Sequence, residues 1–143
     1  MEIIELNTLT DGSIADLTAL MKELAPDRTI SPGMLQATVS DPSTHLFAAI
    51  EDRQIIGCAT LCISHPPTGA KGGIEDVVVG SAFRGRHIGR LLMEHLMEFA
   101  RREFSPIELR LTSRPSRKTA NLLYQALGFE RYDTNFYKQT ISN

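Results

Sequence analysis

The sequence predicts an α/β fold of the mixed α+β kind, with a central mixed, mostly antiparallel sheet flanked by helices, as one domain over residues 1–143. Three observations predict it. Short runs of apolar and β-branched residues are separated by longer runs whose apolar residues recur at helical spacing. Two apolar runs in the middle, His45–Glu51 and Gln54–Ile63, are parted only by Asp52-Arg53, a hairpin spacing. Ile74–Val79, a long amphipathic segment and Ile107–Thr112 form a strand–helix–strand unit, and a right-handed crossover makes its two strands parallel.

Each element has a local reason. Glu2–Leu6 alternates and reads as the first strand. Ser13 and Asp16 resemble a capping box, and Ile14, Leu17, Met21 and Leu24 follow on one helical face, up to a stop near Pro26. Ala25–Gly33 is a loop with Asp27 and Arg28 near its tip; Ser31-Pro32 then opens a shorter helix that ends near Asp41-Pro42. The hairpin strands are apolar on both faces, so they belong in the middle of the sheet. Ser64–Gly73 is rich in Pro and Gly and reads as a loop before the strand Ile74–Val79. In the long helix Leu92, Leu96, Phe99 and Ala100 share one face, and Phe104-Ser105-Pro106 ends it. Ile107, Leu109 and Leu111 alternate with Glu108, Arg110 and Thr112. Ser116 can cap a last helix carrying Ala120, Leu123, Tyr124 and Leu127, with Gly128 at its end. Phe129–Tyr132 and Asn135–Lys138 read as two final short strands, giving the order βααβββαβαββ.

Composition narrows the function. The chain has 143 residues, is 42% hydrophobic and 22% charged, and carries a formal net charge of −2. The acidic balance argues against nucleic acid as the main partner. No apolar run approaches the roughly 20 residues of a membrane-spanning helix, and no signal peptide is visible, so the expected location is the cytoplasm without membrane attachment. Cys58 and Cys62 lie four apart in an apolar run, too far apart to bridge along a strand, and read as small buried hydrophobes. A metal site with His65 lacks a fourth ligand, and no metal is expected. His45 and His95 read as structural or surface residues.

The chemistry concentrates in Phe83–Arg90, F-R-G-R-H-I-G-R, between a strand and a helix. Gly85 and Gly89 allow close approach of backbone to a ligand, and N–H groups at the helix start form an anion nest. Arg84, Arg86 and Arg90 bring cations to the same spot, which suits a diphosphate. A solvated basic helix start is the bland alternative. Neither a G-x-G-x-x-G nor a G-x-x-x-x-G-K-[ST] pattern is present.

The run V-V-V-G-S-A-F-R-G-R-H-I-G-R-L-L-M resembles the acyl-CoA pyrophosphate motif of the GNAT superfamily of N-acyltransferases, Arg/Gln-x-x-Gly-x-Gly/Ala after an apolar strand. Arg84 and Gly89 match its ends, while His87 stands where the family has its middle glycine, a departure that carries a strain penalty if that position needs a positive φ. N-L-L-Y-Q-A-L-G-F, Asn121–Phe129, resembles the family's second signature, and the element order agrees. The segment I-E-D-V-V-V is also locally similar to glucosamine-6-phosphate N-acetyltransferases.

The resemblance implies acetyl-CoA as co-substrate, lying between two parallel strands that splay apart, often with a bulge in the first. Val77, Val78 and Val79 would pair with the pantetheine arm through their backbone and supply an oxyanion donor. Arg84, Gly85, Arg86, His87, Ile88, Gly89 and Arg90 would hold the diphosphate, and Asn121 and Tyr124 would reach the cofactor. Tyr124 is the implied acid for the leaving thiolate. Glu75, in an apolar strand, is the candidate base, with a structural ion pair or a water relay as the alternatives, and adjacent Asp76 should face the other way. Asp27, Arg28 and Tyr137 are candidate acceptor contacts. The implied reaction is direct transfer of acetyl to a primary amine of a small molecule or peptide in a ternary complex; the alternative is a non-catalytic acyl-CoA-binding module. A homodimer through a sheet edge is a family prior.

Overall fold

The computed structural model describes residues 1–143, which fall into two compact units, Met1–Thr112 and Ser113–Asn143. The first holds β1 (Glu2–Glu5), α1 (Asp11–Leu24), α2 (Pro32–Ser40), β2 (Thr44–Glu51), β3 (Gln54–Ser64), β4 (Lys71–Val79), α3 (Ile88–Phe104) and β5 (Glu108–Arg110), with a single 3₁₀ turn over Ser81–Phe83. The second holds α4 (Lys118–Ala126). The strands form one sheet in the order β1-β2-β3-β4-β5, antiparallel except for the parallel pair β4–β5.

Alternation along β2 assigns the sheet faces. Leu46 and Ala48 face Leu17 and Leu20 of α1 and Leu35 of α2 in one core. Phe47 faces the other way, and its ring meets those of His95 and Phe99 of α3 edge-on at 5.3 and 5.2 Å. Leu92, Met93, Leu96 and Ala100 of α3 are wholly buried. The exposed face of α3 carries Arg90, Glu94, Glu98 and Arg101, with an i,i+4 pair at Arg90–Glu94.

The predicted elements differ from the observed ones in instructive ways. Thr10, not Ser13, caps α1; its side chain accepts the Ser13 N–H at 3.1 Å and Ser13 answers at the Thr10 N–H at 2.7 Å. A serine thus fills the position that a capping box usually gives to Glu or Gln. Asp16, freed from capping, accepts the Ile55 N–H at 3.0 Å and ties α1 to β3. Lys71-Gly72-Gly73, predicted as loop, is strand, and it is the only part of β4 that pairs with β5. The space at Gly72 is tight: a Cβ there would stand 2.7 Å from Leu109 Cδ2 and 3.0 Å from Leu61 Cδ1, so the Leu109 side chain would have to shift. The parallel strand, predicted over Ile107–Thr112, keeps its alternation but only Glu108–Arg110 is paired. Ser116 does not cap α4, whose N-cap is Arg117 without a side-chain bond. The two final strands are not formed, so the observed order is βααβββαβα. Tyr132, Phe136 and Tyr137 are 72–84% exposed, and without an apolar face to bury, alternation alone does not hold a strand.

Candidate active site

The site is built on β4. Glu75 lies opposite Thr60 and Val78 opposite Cys58, so Asp76 and Val77 together face the single residue Ala59. This is a β-bulge, and Asp76 takes the left-handed backbone, φ 51°, that such an insertion can demand. The Asp76 carbonyl, turned out of the ladder, lies 3.8 Å from the buried Cys58 thiol, which donates to it. Burial pushes that thiol up to about 12, so it stays a neutral donor. Cys58 and Cys62 are both free, as their spacing predicts.

The bulge breaks the alternation, and Glu75 and Asp76 are both exposed. Glu75 is nonetheless partly desolvated by its surroundings, which with the Asp76 carboxylate beside it raises its pKa above the ordinary carboxylate range. Pairing of β4 with β5 stops at Gly73, before the bulge. On the side away from β3, the backbone of Val77, Val78 and Val79 therefore has no strand partner, the splayed arrangement expected from the sequence resemblance.

Beyond β4 the chain makes its 3₁₀ turn and enters the Arg/Gly loop. Gly85 has φ 81° and His87, the N-cap of α3, has φ 60°. His87 makes no side-chain cap, which leaves the N–H groups of Ile88, Gly89 and Arg90 without an intrahelical partner at the positive end of a 17-residue helix. An anion fits there by backbone alone. Replacing His87 with glycine is expected to relieve the left-handed backbone and raise stability by about 0.5–1 kcal/mol, read from the urea midpoint; no gain would show that the His87 side chain repays its strain.

The three arginines are not free cations. Arg84 Nη2 lies 3.7 Å from Glu23 Oε1, and the same oxygen accepts the Ser81 N–H at 3.0 Å. Arg86 makes a two-bond pair with Glu51 at 2.9 and 2.6 Å. Arg90 donates to Glu94 at 2.8 Å. The loop's three positive charges are thus each met by a carboxylate. Glu23 and Glu51 lie 61 and 35 residues from their partners, in elements with no motif, so no sequence pattern signals them.

In the second unit, the N-x-x-Y…G-F pattern is a helix stop. Gly128, at φ 94°, donates to the Gln125 carbonyl at 3.1 Å, and the Phe129 N–H reaches the Tyr124 carbonyl at 3.0 Å. These two bonds make a Schellman motif, and its apolar contact is the Tyr124–Phe129 ring pair at 6.2 Å. Tyr124 is buried, and desolvation raises its phenol despite the opposing charge of Arg117. Asn121 uses its amide to donate to the Arg114 carbonyl at 3.0 Å, closing the turn before α4. Tyr137 is 84% exposed, with its hydroxyl 3.4 Å from Asn135 Nδ2.

Asp27 and Arg28 sit exposed in the turn between α1 and α2, and neither side chain bonds to the loop or to β4. His45 is tied to Glu5 at 2.7 Å and stacked against Phe99 and Phe104, a structural role. An open groove between β1 and α3, lined by Ile3, Leu91 and His95 among others, contains none of the candidate catalytic, cofactor or acceptor residues. The structure contains no cluster of His, Cys, Asp and Glu able to hold a metal ion, and no helix long and apolar enough to cross a membrane.

Comparison with known proteins gives this geometry its context. No curated protein matches the sequence significantly. Solved structures do match. An aminoglycoside acetyltransferase from an uncultured soil metagenomic sample, determined with sisomicin, aligns at a TM-score of 0.82 and 16% identity over 98% of this chain and 96% of its own. Glucosamine-6-phosphate N-acetyltransferase from Arabidopsis thaliana aligns at 0.77 and 19% identity over 96% and 97% of the two chains. A Trypanosoma brucei acetyltransferase aligns at 0.73 and 25% identity over 97% and 99%. The profile of the Acetyltransferase (GNAT) family matches residues 13–129, from α1 through the Schellman glycine to Phe129. The chain belongs to the GNAT family of acetyltransferases.

Proposed function

We propose that the chain is an acetyl-CoA-dependent N-acetyltransferase, a single catalytic domain over residues 1–143 that moves acetyl to the primary amine of a small molecule or peptide by direct attack. The observation that carries this reading is the bulged β4. It offers an unpaired backbone edge that leads, through the Arg/Gly loop, into an uncapped helix N-terminus. An elongated ligand with amides at one end and a diphosphate at the other complements both features, and the family match points to coenzyme A as that ligand.

Acetyl-CoA supplies the activated acyl group as a thioester. Residues 85–90 bind by backbone N–H groups, with Arg84 and Arg90 beside them. The N–H groups of Val77–Val79 align the amide arm, and one of them stabilises negative charge as it develops on the acyl oxygen. Glu75 takes a proton from the substrate ammonium, directly or through a water, and leaves the neutral amine whose lone pair attacks the acyl carbon. Tyr124, kept protonated by burial, gives a proton to the departing sulfur. Asn121 holds the turn before α4, with Asp27, Arg28 and Tyr137 as the acceptor-side contacts. The proposal carries no metal and no nucleic acid, and extends to a homodimer and a cytoplasmic location.

Glu75 acts as a base only when ionised. Its raised pKa places the acidic limb of kcat/KM above the usual carboxylate range, with activity falling as pH drops through it. Glu75→Gln is expected to remove that limb and lower kcat/KM by about 10²-fold. A retained limb in the pH profile would assign the base elsewhere.

The functional test is a panel of amines and basic peptides with acetyl-CoA, read by released thiol. Transfer to at least one amine supports the reading. Tight coenzyme A binding with no transfer across the panel would favour a non-catalytic acyl-CoA-binding module.

A further inference from the structure

The loop between β4 and α3 holds two left-handed residues, Gly85 and His87, with Arg86 between them. The Arg86 guanidinium spans to another element. Nη1 donates to Glu51 Oε2 at 2.9 Å and Nη2 to Glu51 Oε1 at 2.6 Å. A parallel two-bond pair fixes direction as well as distance. Glu51 is itself held firmly. It pairs with Gln54 across the two-residue turn Asp52-Arg53, whose residues both have positive φ, 51° and 65°. Such a turn leaves the strand end little freedom. The other two loop arginines differ: the Arg84–Glu23 contact is a single approach at 3.7 Å, and Arg90–Glu94 stays within α3. Arg86 alone among the three is locked bidentately to a rigid end of the sheet.

Resting on the acetyl-CoA reading above, we propose that Arg86 is the anchor of this loop and not one of its anion ligands. Glu51 is then a positioning residue that keeps the N–H groups of residues 86–90 aimed at the diphosphate. The guanidinium, bound to Glu51, holds the Glu51 carboxyl below the usual carboxylate range, so the pair stays ionised at neutral pH. An exposed ion pair adds little to global stability. Its effect here is local, on a loop whose two left-handed residues would otherwise relax toward commoner backbone conformations.

The two roles for Arg86 predict opposite signs at Glu51. If Arg86 were an anion ligand, Glu51 would compete with the diphosphate, and removing its charge would tighten binding. Plain Coulomb repulsion between Glu51 and an anion predicts the same tightening. If Arg86 is the anchor, removing that charge loosens the loop and weakens binding.

The test titrates coenzyme A into the wild-type chain, Glu51→Gln, Arg86→Ala, the double variant, the exchanged pair Glu51→Arg/Arg86→Glu, and Glu98→Gln as a surface control. Amide hydrogen exchange at residues 86–90 is followed in the same proteins without ligand. Each single variant is expected to weaken binding by about tenfold, the double variant no more than either single, and the exchanged pair to recover part of the loss. Exchange at residues 86–90 should speed up in both single variants and stay unchanged in Glu98→Gln, with thermal midpoints close to wild type. Unchanged or tighter binding in Glu51→Gln, or additive effects in the double variant, would overturn the proposal. So would unchanged exchange. A wild-type chain that does not bind coenzyme A would overturn the acetyl-CoA reading instead, and the exchange measurement would still decide whether Glu51 orders the loop.

Discussion

Tyr124→Phe is expected to lower kcat by about 10²-fold or more, with coenzyme A affinity unchanged within about twofold. The substitution removes one oxygen and little else. The Schellman bonds that end α4 are backbone bonds from Gly128 and Phe129, and the ring contact with Phe129 survives in phenylalanine. The helix stop should therefore be intact, and the lost hydroxyl should act on turnover alone. Burial raises the phenol above its ordinary range, which suits a proton donor: it is fully protonated through neutral pH, and activity that depends on it declines only as pH rises toward that raised value. Steady-state kinetics beside calorimetric titration separates the two effects. Turnover equal to wild type would remove Tyr124 as the acid. A large loss of coenzyme A affinity with kcat preserved would make it a binding residue.

Phe47→Ala carries the largest expected cost in stability, about 3–5 kcal/mol against a total of roughly 5–15 kcal/mol for a domain. Phe47 is 1% exposed and joins β2 to α3 through its ring contacts with His95 and Phe99. Its removal leaves a cavity under α3, the helix whose N-terminus is proposed to bind the diphosphate, so chemical denaturation should show a much lower midpoint. Coenzyme A should bind to whatever fraction remains folded, and added coenzyme A should raise the midpoint of the variant. A loss below about 1 kcal/mol would mean that α3 settles into the space, and that its position on the sheet is less fixed than these contacts imply.

Much of the fold can be read from local sequence. Ser31-Pro32 starts α2, Asp52-Arg53 turns the hairpin, and Phe104 ends α3 as its pattern requires. These are features in which neighbours in sequence decide the backbone. The misreadings occur where distant residues decide it. Lys71–Gly73 looks like loop because of its glycines, yet both are strand residues, and Gly72 lies against Leu61 and Leu109. Alternation in residues 129–138 suggests strands, but burial and not alternation makes a strand, and Phe136 and Tyr137 have none.

The site divides in the same way. The Arg/Gly loop and the Tyr124–Phe129 signature are legible because their glycines and capping geometry are local. The motif raises the condition of a left-handed backbone at His87 without settling it, and the structure has it, at φ 60°. The bulge is expected through the family resemblance alone; nothing in I-E-D-V-V-V marks Asp76 as its place or signals the exposure of both carboxylates. The partners of Arg84 and Arg86 are likewise hidden. Three arginines in one loop read as a cation cluster until Glu23, Glu51 and Glu94 are seen beside them. The proposed anion site therefore rests on backbone N–H groups more than the charge pattern suggests.

The central claim is that the bulged edge of β4 and the uncapped start of α3 together hold acetyl-CoA. A crystal structure of the chain with coenzyme A tests it most directly. The account predicts the diphosphate on the N–H groups of residues 86–90, the amide arm alongside Val77–Val79, and Arg86 still paired with Glu51. Coenzyme A bound elsewhere, or β4 paired along its full length with β5 in that complex, would contradict it.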